Sequence, residues 1–141
     1  MTSPRRGPHE VFSRCSELVG LAEKMPPEIG YVLLYTAAEM VAALVIECSS
    51  ERKLRRALCR LRSWRRIGRA LAILRREGVI DEEGYRRLRR CFSALRCLRN
   101  SFIHPVCVER CRGLGMGEAI ECLRFFESAA RTFVERSLSC R

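Results

Sequence analysis

A guanidinium, an amide and an imidazole fall within six residues, Arg99-Asn100-Ser101-Phe102-Ile103-His104, and Pro105 follows at once. These groups suit metal-free chemistry on a phosphodiester, with imidazole as general base or acid and guanidinium on the charge of a developing phosphorane. The chain has only two histidines, His9 and His104. On a straight helix Arg99 and His104 would be rotated by about 500°, leaving them about 140° apart, whereas Asn100 and His104 share a face. Pro105 disfavours helical geometry at the residue before it, which frees His104 to turn back toward the arginine. A lone histidine at a helix end more often caps the last carbonyls; the arginine and amide beside it give this one a chemical reading.

The helix that must carry these groups announces itself by rhythm. Tyr85, Leu88, Phe92, Leu95 and Phe102 follow a 3-4-3 spacing, and the position that completes it is residue 99. Arg86, Arg87, Arg89, Arg90 and Arg96 lie off that stripe, as solvated arginines should. Arg99 lies on it. A cation on a core-facing seam needs an acid, an interface or a ligand, because a buried unpaired charge is too costly. Glu39, at the centre of an apolar run, is the candidate acid, either as a structural partner or as the group that orients Arg99 toward a phosphate.

Charge is concentrated around that helix. Of 27 basic side chains, 17 fall in residues 52–99 against four acids (Glu77, Asp81, Glu82, Glu83), a balance of +13; the rest of the chain has 10 against 12, or −2. Only Lys24 and Lys53 are lysine. Guanidinium forks pair with phosphate oxygens and stack on bases, so the block fits a polyanionic partner such as RNA, with Arg86, Arg87, Arg90 and Arg96 as candidate contacts. Read without a ligand, the block is a solvated helix face.

With 141 residues and 48% apolar side chains the chain can bury one core, and we expect a single domain over residues 1–141 with a flexible leader at 1–8. Helical periodicity runs almost throughout, and nothing reads as a strand. Val11, Phe12, Cys15, Leu18, Val19 and Ala22 mark a first helix, ended by Met25-Pro26-Pro27; Pro27 suits the first turn of a second, reaching about Cys48. Ser49-Ser50 are expected to cap a third, from Leu54 through Leu58, Leu61, Trp64 and Ile67 to Leu74, ended by Gly78. Asp81 should cap a fourth, which extends to about Ile103, and Gly113, Gly115 and Gly117 should break the chain before a last helix through Ala119 to Val134. The expected fold is all-α, an antiparallel up-and-down bundle of four to five helices. The run from Ile29 to Ile46 approaches the length of a membrane span, but Glu39 at its centre would cost about 3 kcal/mol in lipid, so we read a central buried helix and no membrane association.

The leader MTSPRRGP is polar and resembles no signal peptide, which points to the cytoplasm. Nine cysteines, an odd number, then read mostly as small buried hydrophobes, with Cys15, Cys48, Cys59 and Cys122 at helix-interior positions. Cys91, Cys97, Cys107, Cys111 and Cys140 are the candidates for disulfides, which do occur inside hyperthermophiles. His104, Cys107 and Cys111, with Cys97, also have ligand types that suit zinc, but the Cys-X2-Cys knuckle of a structural site is missing. We read no metal site and no cofactor.

From Leu74-Arg75-Arg76-Glu77-Gly78-Val79-Ile80-Asp81-Glu82-Glu83, through Leu88, Phe92 and Leu95, to Leu98-Arg99-Asn100-Ser101-Phe102-Ile103-His104, the chain resembles HEPN-domain proteins, most of all the HepT-like toxin branch. That likeness covers residues 70–106 and is generic elsewhere. The family hallmark is an arginine, a polar residue and, after four to six intervening residues, a histidine. The resemblance implies a metal-independent endoribonuclease, of the kind that serves as the toxin of a toxin–antitoxin pair, whose two copies join their Arg-X4-His motifs across a homodimer cleft. On that view Arg99, Asn100 and His104 are catalytic, and two His104 side chains serve as base and acid for attack by the ribose 2′-hydroxyl. It also implies a nucleotidyltransferase-type antitoxin, but the tyrosine that such a partner modifies is replaced by Val106. Other members of the family only bind nucleic acids or nucleotides, or act as regulatory helical modules.

Overall fold

The computed structural model describes residues 7–103, 111, 113–137 and 140. Among these residues six α-helices and one 3-10 turn account for the regular structure, and there is no strand. They are α1 (Pro8–Lys24), α2 (Pro27–Glu47), α3 (Arg52–Ala57), a 3-10 turn (Leu58–Arg60), α4 (Ser63–Arg76), α5 (Glu82–Ile103) and α6 (Met116–Arg136).

Helix α2 organises the rest. Leu34, Tyr35, Ala37, Ala38, Val41, Ala42, Leu44, Val45 and Ile46 are buried, and α1, α4, α5 and α6 all pack against this helix. A helix apolar on nearly every side must be enclosed, and this one is long and apolar enough to cross a membrane by length and composition. Gly30 lets α1 come close: a Cβ there would meet the Ala22 carbonyl at 3.0 Å and Met116 Cε at 2.5 Å. The core runs on through Ile67, Leu71, Leu74, Leu88, Phe92, Leu95, Leu123 and Phe126, with Phe92 and Phe126 packed edge to face at 5.1 Å.

Local chemistry explains most of the boundaries. Pro27 opens α2. The carboxylate of Asp81 accepts from the Gly84 amide at 2.7 Å, which makes it the expected N-cap of α5. Helix α4 ends in a Schellman motif: Gly78 adopts φ +72°, its amide donates to the Arg75 carbonyl, and the Val79 amide reaches back to Leu74.

Elsewhere the boundaries depart from the expectation. The expected third helix is interrupted at Leu61-Arg62, where the backbone is extended. Tertiary bonds compensate for the break, since Arg66 Nε donates to the Leu58 carbonyl at 3.1 Å and Ser63 Oγ donates to the Tyr35 hydroxyl at 3.0 Å. Ser49 and Ser50 do not cap α3; its N-cap is Glu51, and Ser49 Oγ turns back to the Ile46 carbonyl. Pro8 is already helical, and Gly117 lies inside the first turn of α6, where backbone amides need no partner within the helix.

Cysteine usage differs too. Cys48 pairs with Cys140 and Cys97 with Cys111, with Cα atoms 5.2 and 5.5 Å apart. Cys15 and Cys122 are buried and reduced as expected; Cys91, a disulfide candidate, is also buried and reduced, whereas Cys48 is bonded and Cys59 is exposed beside the interruption in the third helix. Cys107 lies outside the described residues.

Candidate functional site

Arg99 reaches the core seam of α5 in the last turns of that helix, and the residues it meets across the core come from α2. Leu88, Phe92 and Leu95, which share its stripe, are fully buried. The guanidinium lies over the Tyr35 ring, 4.2 Å from the centroid, and Nη1 donates to Glu39 Oε1 at 3.4 Å. Tyr35 and Glu39 are four residues apart on α2 and so present ring and carboxylate side by side. The Arg99 and Glu39 side chains each keep 26% of their surface exposed. The site is sheltered but open.

Asn100 contributes a second anchor. Its Oδ1 accepts from Arg99 Nη2 at 2.9 Å and from Nε at 3.3 Å. The guanidinium is thus fixed by a carboxylate, an amide oxygen and an aromatic face, and its charge is balanced by one acid. Arg99, Asn100 and Glu39, singled out by the sequence, are brought together. His104 lies outside the described residues.

Tyr35, which lies under Arg99, and two serines close to it, Ser63 and Ser101, escaped the reading of the sequence. Tyr35 is wholly buried, and its hydroxyl takes a hydrogen bond from Ser63, at the start of α4. Its legible signal was a phenol one helical turn before the only acid inside the apolar run. Ser101, the third, is buried next to the site; its hydroxyl donates to the Cys97 carbonyl at 2.8 Å and lies 3.1 Å from Cys111 Sγ. The Cys97–Cys111 bond ties α5, two residues before Arg99, to position 111 and closes the intervening chain into a covalent loop. That pairing uses up two of the sulfurs a zinc site would need as thiolates.

The four candidate RNA contacts separate. Arg86 pairs with Glu82 at 3.4 Å and Arg87 with Glu121 at 3.6 Å, all of them exposed. Arg90 is exposed and makes no ion pair among the described residues. Arg96 places its guanidinium 5.4 Å from the centroid of the Trp64 ring, on the side of α5 that leads to Arg99.

No family model, curated protein or solved structure matches this chain.

Proposed function

We propose that this protein is a metal-independent endoribonuclease of HEPN type, acting as a homodimer with an Arg-X4-His motif made of Arg99, Asn100 and His104. The observation that carries the reading is the treatment of Arg99. A cation placed on an apolar seam only for solubility would extend into water, but this one is held by Glu39 and Asn100 over Tyr35 with about a quarter of its side chain still open. A guanidinium so fixed needs little reorganisation to meet charge that develops on a phosphate. In the proposed reaction one His104 takes the proton of the 2′-hydroxyl, which attacks the adjacent phosphorus, and the partner subunit's His104 protonates the departing 5′-oxygen. The products are a 2′,3′-cyclic phosphate and a free 5′-hydroxyl.

The test is cleavage of end-labelled RNA in EDTA. Wild type should yield 2′,3′-cyclic ends, His104→Ala should lose about 100-fold or more, and Arg99→Ala should lose about 100-fold. Undiminished cleavage in both variants would overturn the assignment.

One observation favours a second reading, a nucleic-acid-binding module without catalysis. Arg99 already has partners within its own chain, so its placement can serve the fold alone. On that reading the wild type binds RNA and leaves it intact, and His104→Ala binds as well as the parent.

A further inference from the structure

Between α4 and α5 lies a groove of about 520 Å3, lined by Trp64, Arg65, Gly68, Arg69, Tyr85 and Arg89 among others, with no carboxylate among the described residues of its walls. Trp64, Gly68 and Ala72 follow one another at one-turn intervals on α4, so a single large ring stands at one end of a row of small residues. A Cβ at Gly68 would meet only Arg89 Nη1, at an ordinary 3.6 Å. On α5 the facing row is Tyr85, Arg89 and Arg96. Arg89 donates to the Tyr85 hydroxyl at 3.4 Å, and its guanidinium is 5.8 Å from the Trp64 centroid.

Arg65, Arg69, Arg89 and Arg96 are exposed and form no ion pair with an acid among the described residues. The arginines on Trp64 sit near the outer limit of cation–π range, so they can exchange that contact for a phosphate at little cost. An aromatic platform inside a cationic track is the arrangement that single strands recognise, because an unstacked base can lie on the ring while its phosphates meet guanidinium forks. A duplex keeps its base faces stacked and has none to offer.

The groove also leads somewhere. From Tyr85 to Arg99 is about 21 Å along α5, and Arg96 is one turn short of Arg99. On the other wall Trp64 adjoins Ser63, whose hydroxyl holds the Tyr35 phenol beneath the Arg99 guanidinium.

We propose that the α4–α5 groove is the binding track for single-stranded RNA, with one base stacked on Trp64 and the backbone held by Arg65, Arg69, Arg89 and Arg96, delivering the strand to Arg99. The proposal rests on reading the chain as one that acts on RNA, but not on its cutting RNA. Trp64 is the only tryptophan, so its emission reports on this groove alone.

The experiment titrates the full-length protein at low salt with a labelled oligodeoxythymidine of about 12 nucleotides, which has no 2′-hydroxyl and cannot be cleaved by the proposed route. Trp64 emission should be quenched in step with the rise in label anisotropy, and single-stranded RNA should compete better than duplex RNA. Trp64→Ala should weaken binding about tenfold or more and Trp64→Phe much less. Gly68→Leu, a better helix former that fills the groove, should block binding while leaving the circular dichroism unchanged. Binding without a change in Trp64 emission, equal competition by duplex, undiminished binding by Gly68→Leu, or no binding at low salt would each overturn the groove. RNA cleavage assayed alongside separates the two readings: cleavage without groove binding removes only the track, and groove binding without cleavage removes only the nuclease.

Discussion

Arg99 is held from three directions, and each direction can be removed separately. Glu39→Gln keeps the shape of the acid and removes its charge; the guanidinium then keeps Asn100 and the Tyr35 ring but loses its electrostatic anchor. We expect RNA cleavage to fall about tenfold with binding of the uncleavable oligonucleotide unchanged, and stability to fall by about 1 kcal/mol, since the pair is partly solvated. A parallel drop in binding and cleavage would instead mark Glu39 as part of the fold only. A second residue-scale prediction concerns Cys15, whose buried thiol lies 3.7 Å from Glu127. Burial, reinforced by the Glu127 carboxylate, pushes this thiol from its ordinary 9.0 up to about 12. Between those two values the unfolded chain gives up the proton and the folded chain keeps it. Stability is therefore complete below about pH 9 and declines as pH rises through the window, by up to about 1.4 kcal/mol per pH unit from this one thiol. Chemical denaturation of wild type and Cys15→Ala at pH 8 and above pH 9 reads this directly: the variant should show the shallower alkaline decline whatever its stability at pH 8.

At the scale of elements, the helix ends make the clearest predictions. Asp81→Ala removes the bond to the Gly84 amide and should cost about 1 kcal/mol. Gly78→Ala places a Cβ at φ +72° and should cost a similar amount. Both are checked by urea midpoints, and an unchanged midpoint in either variant would mean that the end of α4 and the start of α5 fray without consequence. These ends were legible in the sequence because their signals are local: a carboxylate three residues before an amide, a glycine after an apolar run. The interruption of the third helix was not. Leu54, Leu58, Leu61 and Trp64 keep helical spacing straight across it, and what stabilises the extended Leu61-Arg62 is distant in sequence, the Tyr35 hydroxyl that holds Ser63. The same distance hid Tyr35 from the reading of the site. Arg99 was legible because a charge on an apolar seam is anomalous, whereas a tyrosine on an apolar helix looks like core until the residue above it is known. The broken helix matters to the groove as well, since it fixes where α4 begins and hence where Trp64 and Arg65 stand.

At the scale of the whole molecule, two disulfides among the described residues tie distant parts of the chain together, and composition alone did not assign them. Cys48–Cys140 joins the end of α2 to the residues beyond α6, across a sequence separation of 92, and the Ser137 hydroxyl bonds the Cys48 carbonyl at the same junction. Cys97–Cys111 spans 14 positions around the segment that carries His104. Loop-closure entropy assigns about 3 kcal/mol to a link of the shorter kind and nearly 5 to one of the longer kind. The two bonds should therefore fail differently. Cys48→Ser with Cys140→Ser should lower the melting temperature by several degrees more than Cys97→Ser with Cys111→Ser, because it frees a far longer chain in the unfolded state. The shorter link constrains less of the unfolded chain but encloses Arg99, Asn100 and the motif histidine in one covalent loop. Its removal should therefore reduce RNA cleavage by more than its effect on melting accounts for, while Trp64 emission still responds to the oligonucleotide. Melting curves and cleavage assays on the two double variants decide this; equal cleavage by the parent and by Cys97→Ser with Cys111→Ser would show that the loop needs no staple to place its histidine.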